Sequence, residues 1–370
     1  MSNLCARVIR LVWLIAVISL VAGAPTMGQV KDLLQGVSAS GFVDVYYGAN
    51  FSDPSSRSNK LRNFDIPANQ VNFSLAEISL QKKAEPIGFR LVAGFGTASD
   101  VIHGIAPYGT SAYNAMTNIQ QAYLTALLPV GNVLTLDAGE FVTHMGYEVI
   151  ESKDNWNYSR SLLFSWAIPY YHTGVRLTYP FTNNFTVAVH VVNGWNSVVD
   201  NNSEKSTGLT LACAPTASTG ITLNIMDGFE QPTGSDVGKK TVYDLILSQQ
   251  LSDALSFVIN ADYGRERLLS GLPVWKGVAL YGRYALNEKS AVSVRGEVFS
   301  DPDGYATGLG VPNLIVREVT GTYEHRFAEA LFLRGEARYD FANSPVFDSK
   351  SRINVDKGQF TLLMGLVAVF

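Results

Sequence analysis

Along almost the whole chain the hydrophobic side chains fall at every second position, the repeat of an extended strand and not the 3.6-residue repeat of a helix. From Leu331 to Tyr339 the rule is clear: Leu331, Leu333, Gly335, Ala337 and Tyr339 lie on one face, and Phe332, Arg334, Glu336 and Arg338 on the other. Tyr171, Thr173, Val175, Leu177 and Tyr179 alternate with His172, Arg176 and Thr178 in the same way, and Leu255, Phe257, Ile259, Ala261 and Tyr263 with Ser256, Asn260 and Asp262. Sixteen such segments can be drawn, starting near Gly36, Asn69, Ile87, Thr117, Val133, Pro169, Asn184, Lys205, Thr219, Lys240, Leu255, Val274, Ser290, Asn313, Leu331 and Gln359. In the second of them the phase slips, with Val71, Phe73 and Leu75 on one face and Ile78 and Leu80 on the other. That predicts a bulge near Ala76.

Each segment runs for roughly 9 to 15 residues, longer than the strand of about five or six usual in globular proteins. At about 3.3 Å per residue and a tilt near 40°, such strands cross a hydrocarbon layer. The connections carry the stronger argument. Short turn-like links at 83–86, 129–132, 180–183, 214–218, 252–254, 286–289 and 327–330 alternate strictly with long polar ones at 50–68, 99–116, 144–168, 194–204, 228–239, 265–273, 301–312 and 342–358. A soluble sandwich has no reason to place its long loops at every second connection, whereas a membrane barrel has short periplasmic turns and long outer loops. The pattern therefore predicts an all-β fold: a transmembrane, antiparallel, up-and-down β-barrel of about 16 strands, closed because lipid-facing backbone must be fully hydrogen-bonded. Tyr47, Phe89, Tyr171, Tyr179, Tyr263, Tyr284, Tyr339 and Phe370 sit near segment ends, as aromatic girdles require.

Composition agrees. The chain is 47% apolar and 16% charged, against roughly 25% charge in soluble domains. No basic run of five or more exists, which argues against nucleic acid as a partner. Arg7 and Arg10 precede an apolar stretch from Leu11 to Leu20 and the small residues Val21, Ala22, Gly23 and Ala24, the layout of a secretory signal peptide over residues 1–28. The barrel then spans 29–370. Loss of the leader removes two basic residues and no acid from a formal charge of −4. One cysteine, Cys213, remains, so no internal disulfide forms. No later stretch is long and apolar enough for a membrane-spanning helix.

The last strand ends in Phe370, with Phe360, Leu362, Met364, Leu366 and Ala368 at every second position before it. This resembles the signal of Gram-negative outer-membrane porins that the barrel-assembly machinery reads, although Ala368 stands where an aromatic residue is common. The stretch Ala167-Ile168-Pro169-Tyr170-Tyr171-His172-Thr173-Gly174-Val175-Arg176, followed by Val192-Asn193-Gly194-Trp195-Asn196 and Asp200-Asn201-Asn202, resembles the OmpL-like β-barrel porins, which often carry Asp where Asn196 stands. The resemblance implies a porin of the cell outer membrane of a Gram-negative bacterium. Its expected partners are outer-membrane lipid, the assembly machinery and small hydrophilic solutes, with a homotrimer left open.

Alternation sends Arg90, His172, Arg176, Arg283, Arg295, Glu297, Arg334, Glu336 and Arg338 inward, where they would line the bore. There they either build a selecting field or pair with one another as wall structure. The third long connection is the longest and carries Glu148, Glu151, Lys153, Asp154 and Arg160. In general porins of 16 strands this loop folds into the bore and narrows it; the alternative is a loop lying over the mouth. Its Trp156, Phe164, Trp166 and Pro169 favour packing.

Among the five histidines there is no HExxH spacing or Cys/His cluster, and no Gly-x-Ser-x-Gly elbow occurs, so no enzyme, cofactor or metal site is predicted. The expected function is passive diffusion of small hydrophilic solutes and ions through a water-filled channel. A plugged barrel acting as receptor or adhesin, and a barrel enzyme such as a lipase, remain as alternatives.

Overall fold

The computed structural model of the protein describes residues 35–103, 116–231 and 238–370; the expected leader, 1–28, lies outside them. The strands are β1 (Val37–Asn50), β2 (Gln70–Lys82), β3 (Ile87–Phe95), β4 (Ile119–Leu128), β5 (Leu134–Val142), β6 (Tyr171–Thr182), β7 (Phe185–Val192) and β8 (Ser206–Thr216), then β9 (Thr219–Phe229), β10 (Lys239–Gln250), β11 (Leu255–Glu266), β12 (Val274–Asn287), β13 (Ser290–Asp301), β14 (Leu314–Ala328), β15 (Leu331–Ala342) and β16 (Gly358–Val369). They close into one barrel in which each strand neighbours the next in sequence and β1 meets β16. Every strand begins within two residues of the position that the alternation predicts. The seam runs antiparallel from Phe42 opposite Val369 to Asn50 opposite Thr361, and Gly41 and Phe370 exchange two backbone hydrogen bonds of 2.9 Å at its end.

The outward phase is apolar and uncovered: Phe360, Leu362, Met364 and Leu366 of β16 are all exposed, while Thr361, Leu363 and Val367 of the other phase are buried. Water would not tolerate so continuous an apolar belt, and lipid does. The slip in β2 falls at Ser74 and Leu75, both buried, just before Ala76, where pairing with β3 begins. Gly96 allows it: with φ +131°, its backbone lies so close that an added Cβ would stand 2.4 Å from the Ser74 carbonyl oxygen. One girdle residue is misassigned by spacing alone. Tyr171 is buried at the outer end of β6, where its hydroxyl donates to the Asn196 carbonyl at 2.7 Å.

The long connections are L1 (51–69), L2 (96–118), L3 (143–170), L4 (193–205), L5 (230–238), L6 (267–273), L7 (302–313) and L8 (343–357). L2 holds a short helix, Thr97–His103. The main apolar core is not between sheets. It lies inside the barrel, where Met145, Ile150, Leu162, Leu163, Phe164 and Ile168 of L3 pack with Phe42, Trp275, Phe299 and Phe332 of the wall.

Candidate functional site: the bore and the loop inside it

L3 enters the barrel because the inward phase of the wall offers what its backbone lacks. A segment with no ladder of its own must find partners for every buried N–H and C=O. On the outbound leg Gly146 N donates to Asp244 of β10 at 3.0 Å and Tyr147 N to Asn260 of β11 at 3.0 Å. Further on, Ser152 Oγ and Tyr158 OH donate to Asp44 of β1 at 2.5 and 2.7 Å. The return leg hangs on two carboxylates. Glu336 of β15 accepts from Tyr158 N at 2.6 Å and Ser159 N at 3.1 Å, and Glu297 of β13 accepts from Leu162 N and Leu163 N, both at 2.6 Å. Carbonyls are met by arginines: Arg295 donates to Ser159 O at 2.7 Å, Arg338 to Arg160 O at 2.6 Å, and Arg334 to Asn155 O at 2.7 Å and to Ser152 O. Trp275 Nε1 takes the Ala167 carbonyl at 3.1 Å. The loop thus follows the wall from β10 round to β1 and back to β12.

The expected bore residues divide accordingly. Arg295, Arg334 and Arg338 are each only 1% exposed, covered by L3 and held also by Glu148 and Glu318, Glu324, and Asp340 respectively. His172 is buried, bonded to Thr143 Oγ1 at 3.1 Å and to the Gly194 carbonyl at 3.1 Å. Arg283 is half-exposed and pairs with Glu324 at 3.0 Å. Arg176 is half-exposed, pairs with Asp137 at 2.8 Å and stacks over Phe141. Arg90 is half-exposed too, and its Nε has no hydrogen-bond partner among the described residues.

Within L3, Glu148 joins Arg295 at 2.7 Å and accepts from Ser161 N at 2.6 Å. Lys153 and Asp154 pair with each other toward solvent, and Glu151 offers its backbone carbonyl to Asn155. Arg160 turns back into the loop, donating to Tyr158 O at 2.7 Å and to Ile150 O, with its guanidinium over the Phe64 ring. So Glu148 faces the basic wall as its sequence position suggests, whereas Glu151 and Asp154 form no ion pair with it among the described residues. Asp44, Asp244 and Asn260 were not among the expected site residues. Their signal is a polar residue at mid-strand in the inward phase.

The family described as "Putative beta-barrel porin-2, OmpL-like" matches residues 36–370. The chain belongs to this family. No curated protein matches it. Among solved structures it is similar to an anion-selective porin from Comamonas acidovorans, at 11% identity and a TM-score of 0.63, covering 90% of this chain and 99% of that one. It is also similar to the outer membrane channel DcaP of Acinetobacter baumannii, at 11% identity and a TM-score of 0.60 over 90% and 97% of the two chains. OprB of Pseudomonas putida follows at 12% identity and 0.58, over 93% and 96%. At such identities the likeness is one of fold.

The stretches that carry the OmpL-like resemblance meet in space. Asn196 Oδ1 accepts from Tyr170 N at 2.6 Å and from Tyr171 N at 3.3 Å, so L4 pins the exit of L3. Glu230 accepts from Trp195 N at 2.7 Å, and Asn202 Nδ2 donates to Phe229 O and Gln231 O, which ties L4 to L5.

The entry of L3 is held differently. His144 stacks on His190 with ring centroids 4.0 Å apart and reaches the Ile225 carbonyl at 3.3 Å. Burial first, and then the neighbouring His190 and His172, push its pKa well below the ordinary 6.5. A histidine depressed in the folded state stabilises it fully above the unfolded value, and that contribution fades as pH falls below 6.5. L3 should therefore become more susceptible to protease as pH drops from 7 toward 5, and His144→Phe, which keeps the stack, should flatten that dependence. Equal cleavage of parent and variant across the range would contradict this.

Proposed function

We propose that this porin is a restricted diffusion channel of a Gram-negative outer membrane, in which L3 closes most of the bore and small hydrophilic solutes and ions pass along the wall formed by β3 to β8. The observation that supports this is one of sidedness. L3 is hydrogen-bonded to the wall from β9 round to β1, its entry touches β6 and β7 through Thr143 and His144, and no hydrogen bond from it reaches β3 or β4 among the described residues. The inward residues left half-exposed on that other side include the polar Arg90, Tyr123, Thr125, Arg176, Thr178 and Thr210 beside the apolar Leu127 and Ala212. In this reading Arg90 and Arg176 are the charges that passing ions meet. Arg295, Arg334, Arg338, Glu297, Glu336 and Glu148 act one step back, by fixing the loop that sets the width. Nothing in such a channel requires catalysis, and we read the protein as a transporter, not an enzyme.

Residues 1–28 would act as the export leader and 29–370 as the barrel, with lipid around the apolar belt and a homotrimer as one assembly open to it. Phe370 would serve as the assembly signal. Deleting Phe370 should lower the yield of heat-modifiable barrel in the outer membrane several-fold while export to the periplasm continues; an unchanged yield would remove that role.

The density of packing around L3 supports a second reading, a plugged barrel. Planar bilayers separate the two. Purified barrel should give discrete conductance steps, and silence at high protein concentration would favour the plug.

A further inference from the structure

Above L3, on the outer side, lies a cavity of about 450 Å³, within the range of roughly 300–1,000 Å³ usual for small-molecule sites. Aromatic rings converge on it from four separate segments: Trp166 from L3, Trp195 from L4, Trp275 from β12 and Tyr305 from L7. Trp195 and Trp275 stand nearly perpendicular at 6.4 Å, and Trp275 and Tyr305 are 6.1 Å apart. Most of their polar edges are already engaged: Trp275 Nε1 with Ala167 O, Trp166 Nε1 with Leu61 O at 3.2 Å, and Tyr305 OH with Glu266 at 2.6 Å. These rings therefore offer the cavity mainly carbon surface.

Two amides supply the polar contacts. Asn196 is fixed through Oδ1 by Tyr170 N and Tyr171 N, which leaves its Nδ2 as a donor with no partner among the described residues. Asn63 donates through Nδ2 to Ser165 O at 2.8 Å and Tyr170 OH at 2.6 Å, which leaves its Oδ1 as an acceptor. Charge is already balanced. The Lys240 ammonium sits over Trp195 at 4.4 Å from the ring centroid and pairs with Glu266 at 2.9 Å. A cationic solute would meet an occupied cation–π seat and a like charge, while an anion would meet a lysine already neutralised. A wholly apolar solute would strand both amides without water.

From these constraints we infer that the cavity is a binding site for a neutral saccharide, whose C–H face stacks on the aromatic rings while its hydroxyls meet Asn196 and Asn63. The inference deepens the channel reading, since it names the solute class that the outer mouth would collect before passage.

Three of the five tryptophans line the cavity, so intrinsic fluorescence reports on it directly. Folded full-length barrel in detergent micelles is titrated with maltose, and with glycerol as a hydroxylated solute that lacks a ring face. Maltose should give a saturable change and glycerol none. Trp195→Leu, checked for folding by heat-modifiable mobility, should weaken maltose binding at least about tenfold, and Trp195→Phe should restore most of it. No saturable change with maltose up to about 100 mM, a Kd limit that corresponds to about 1.4 kcal/mol, overturns the site. So does full binding by the Leu variant, or equal responses to maltose and glycerol. Failure of the channel reading looks different: saturable maltose binding in micelles together with silence in planar bilayers.

Discussion

Barrels carrying Glu297→Ala and Glu336→Ala together should conduct several-fold more current per channel than the parent. Each carboxylate accepts two consecutive backbone N–H groups of the returning leg of L3, at Tyr158 and Ser159 and at Leu162 and Leu163. Leaving a buried donor unsatisfied costs about 1–3 kcal/mol, so four donors together amount to roughly 4–12 kcal/mol. Moving a two-state element from almost wholly one state to the other takes about 5.5 kcal/mol. The pair of substitutions therefore reaches the range in which the loop leaves the wall, whereas either alone should produce a flickering mixture of two conductance levels. The barrel itself should survive, because its ladder runs without interruption from β1 to β16 and does not depend on L3. Heat-modifiable mobility checks that point. A folded double variant with parental conductance would show that L3 does not set the width of the bore.

The strands were legible from end to end because their signal is redundant. Lipid demands an apolar residue at every outward position, and one slip would expose a whole face, so each of the sixteen segments declares its own register. Even the slip in β2 could be located to within two residues of Ser74 and Leu75. The interior is another matter. Alternation showed that Arg295, Arg334, Arg338, Glu297 and Glu336 point inward, yet a side chain that faces water in the bore and one that faces a buried loop have the same phase. What decides between them is the path of L3, which depends on contacts between residues more than 100 positions apart, such as Asn260 with Tyr147 in one direction and Glu336 with Tyr158 in the other. Spacing places Tyr171 in the girdle for the same reason: it gives the end of a strand but not what folds over it.

That distinction has a measurable consequence for ion preference. Arg90 is half-buried and stands on the side of the bore to which L3 makes no hydrogen bond, so its charge should be felt by passing ions. Arg176 on the same side is neutralised at 2.8 Å by Asp137 and should contribute less. Arg334 and Arg338 carry the same charge but lie under the loop, each bound to a carboxylate and to loop carbonyls. At about 4 Å two unit charges interact by about 1 kcal/mol in water and more near protein, with screening over about 8 Å at physiological salt. Discounted for the exposure of Arg90, this corresponds to roughly a two- to fivefold change in the permeability ratio. Arg90→Gln should therefore move the reversal potential under a salt gradient toward cations, by an amount that shrinks at 1 M salt, where the screening length falls to about 3 Å. Arg334→Gln and Arg338→Gln should leave the reversal potential near the parental value and instead raise conductance noise, because each loosens L3 and leaves a buried carboxylate without its partner. Should Arg338→Gln shift the reversal potential as far as Arg90→Gln does, with the barrel folded and the noise unchanged, the ion path would run along β15 and not along β3.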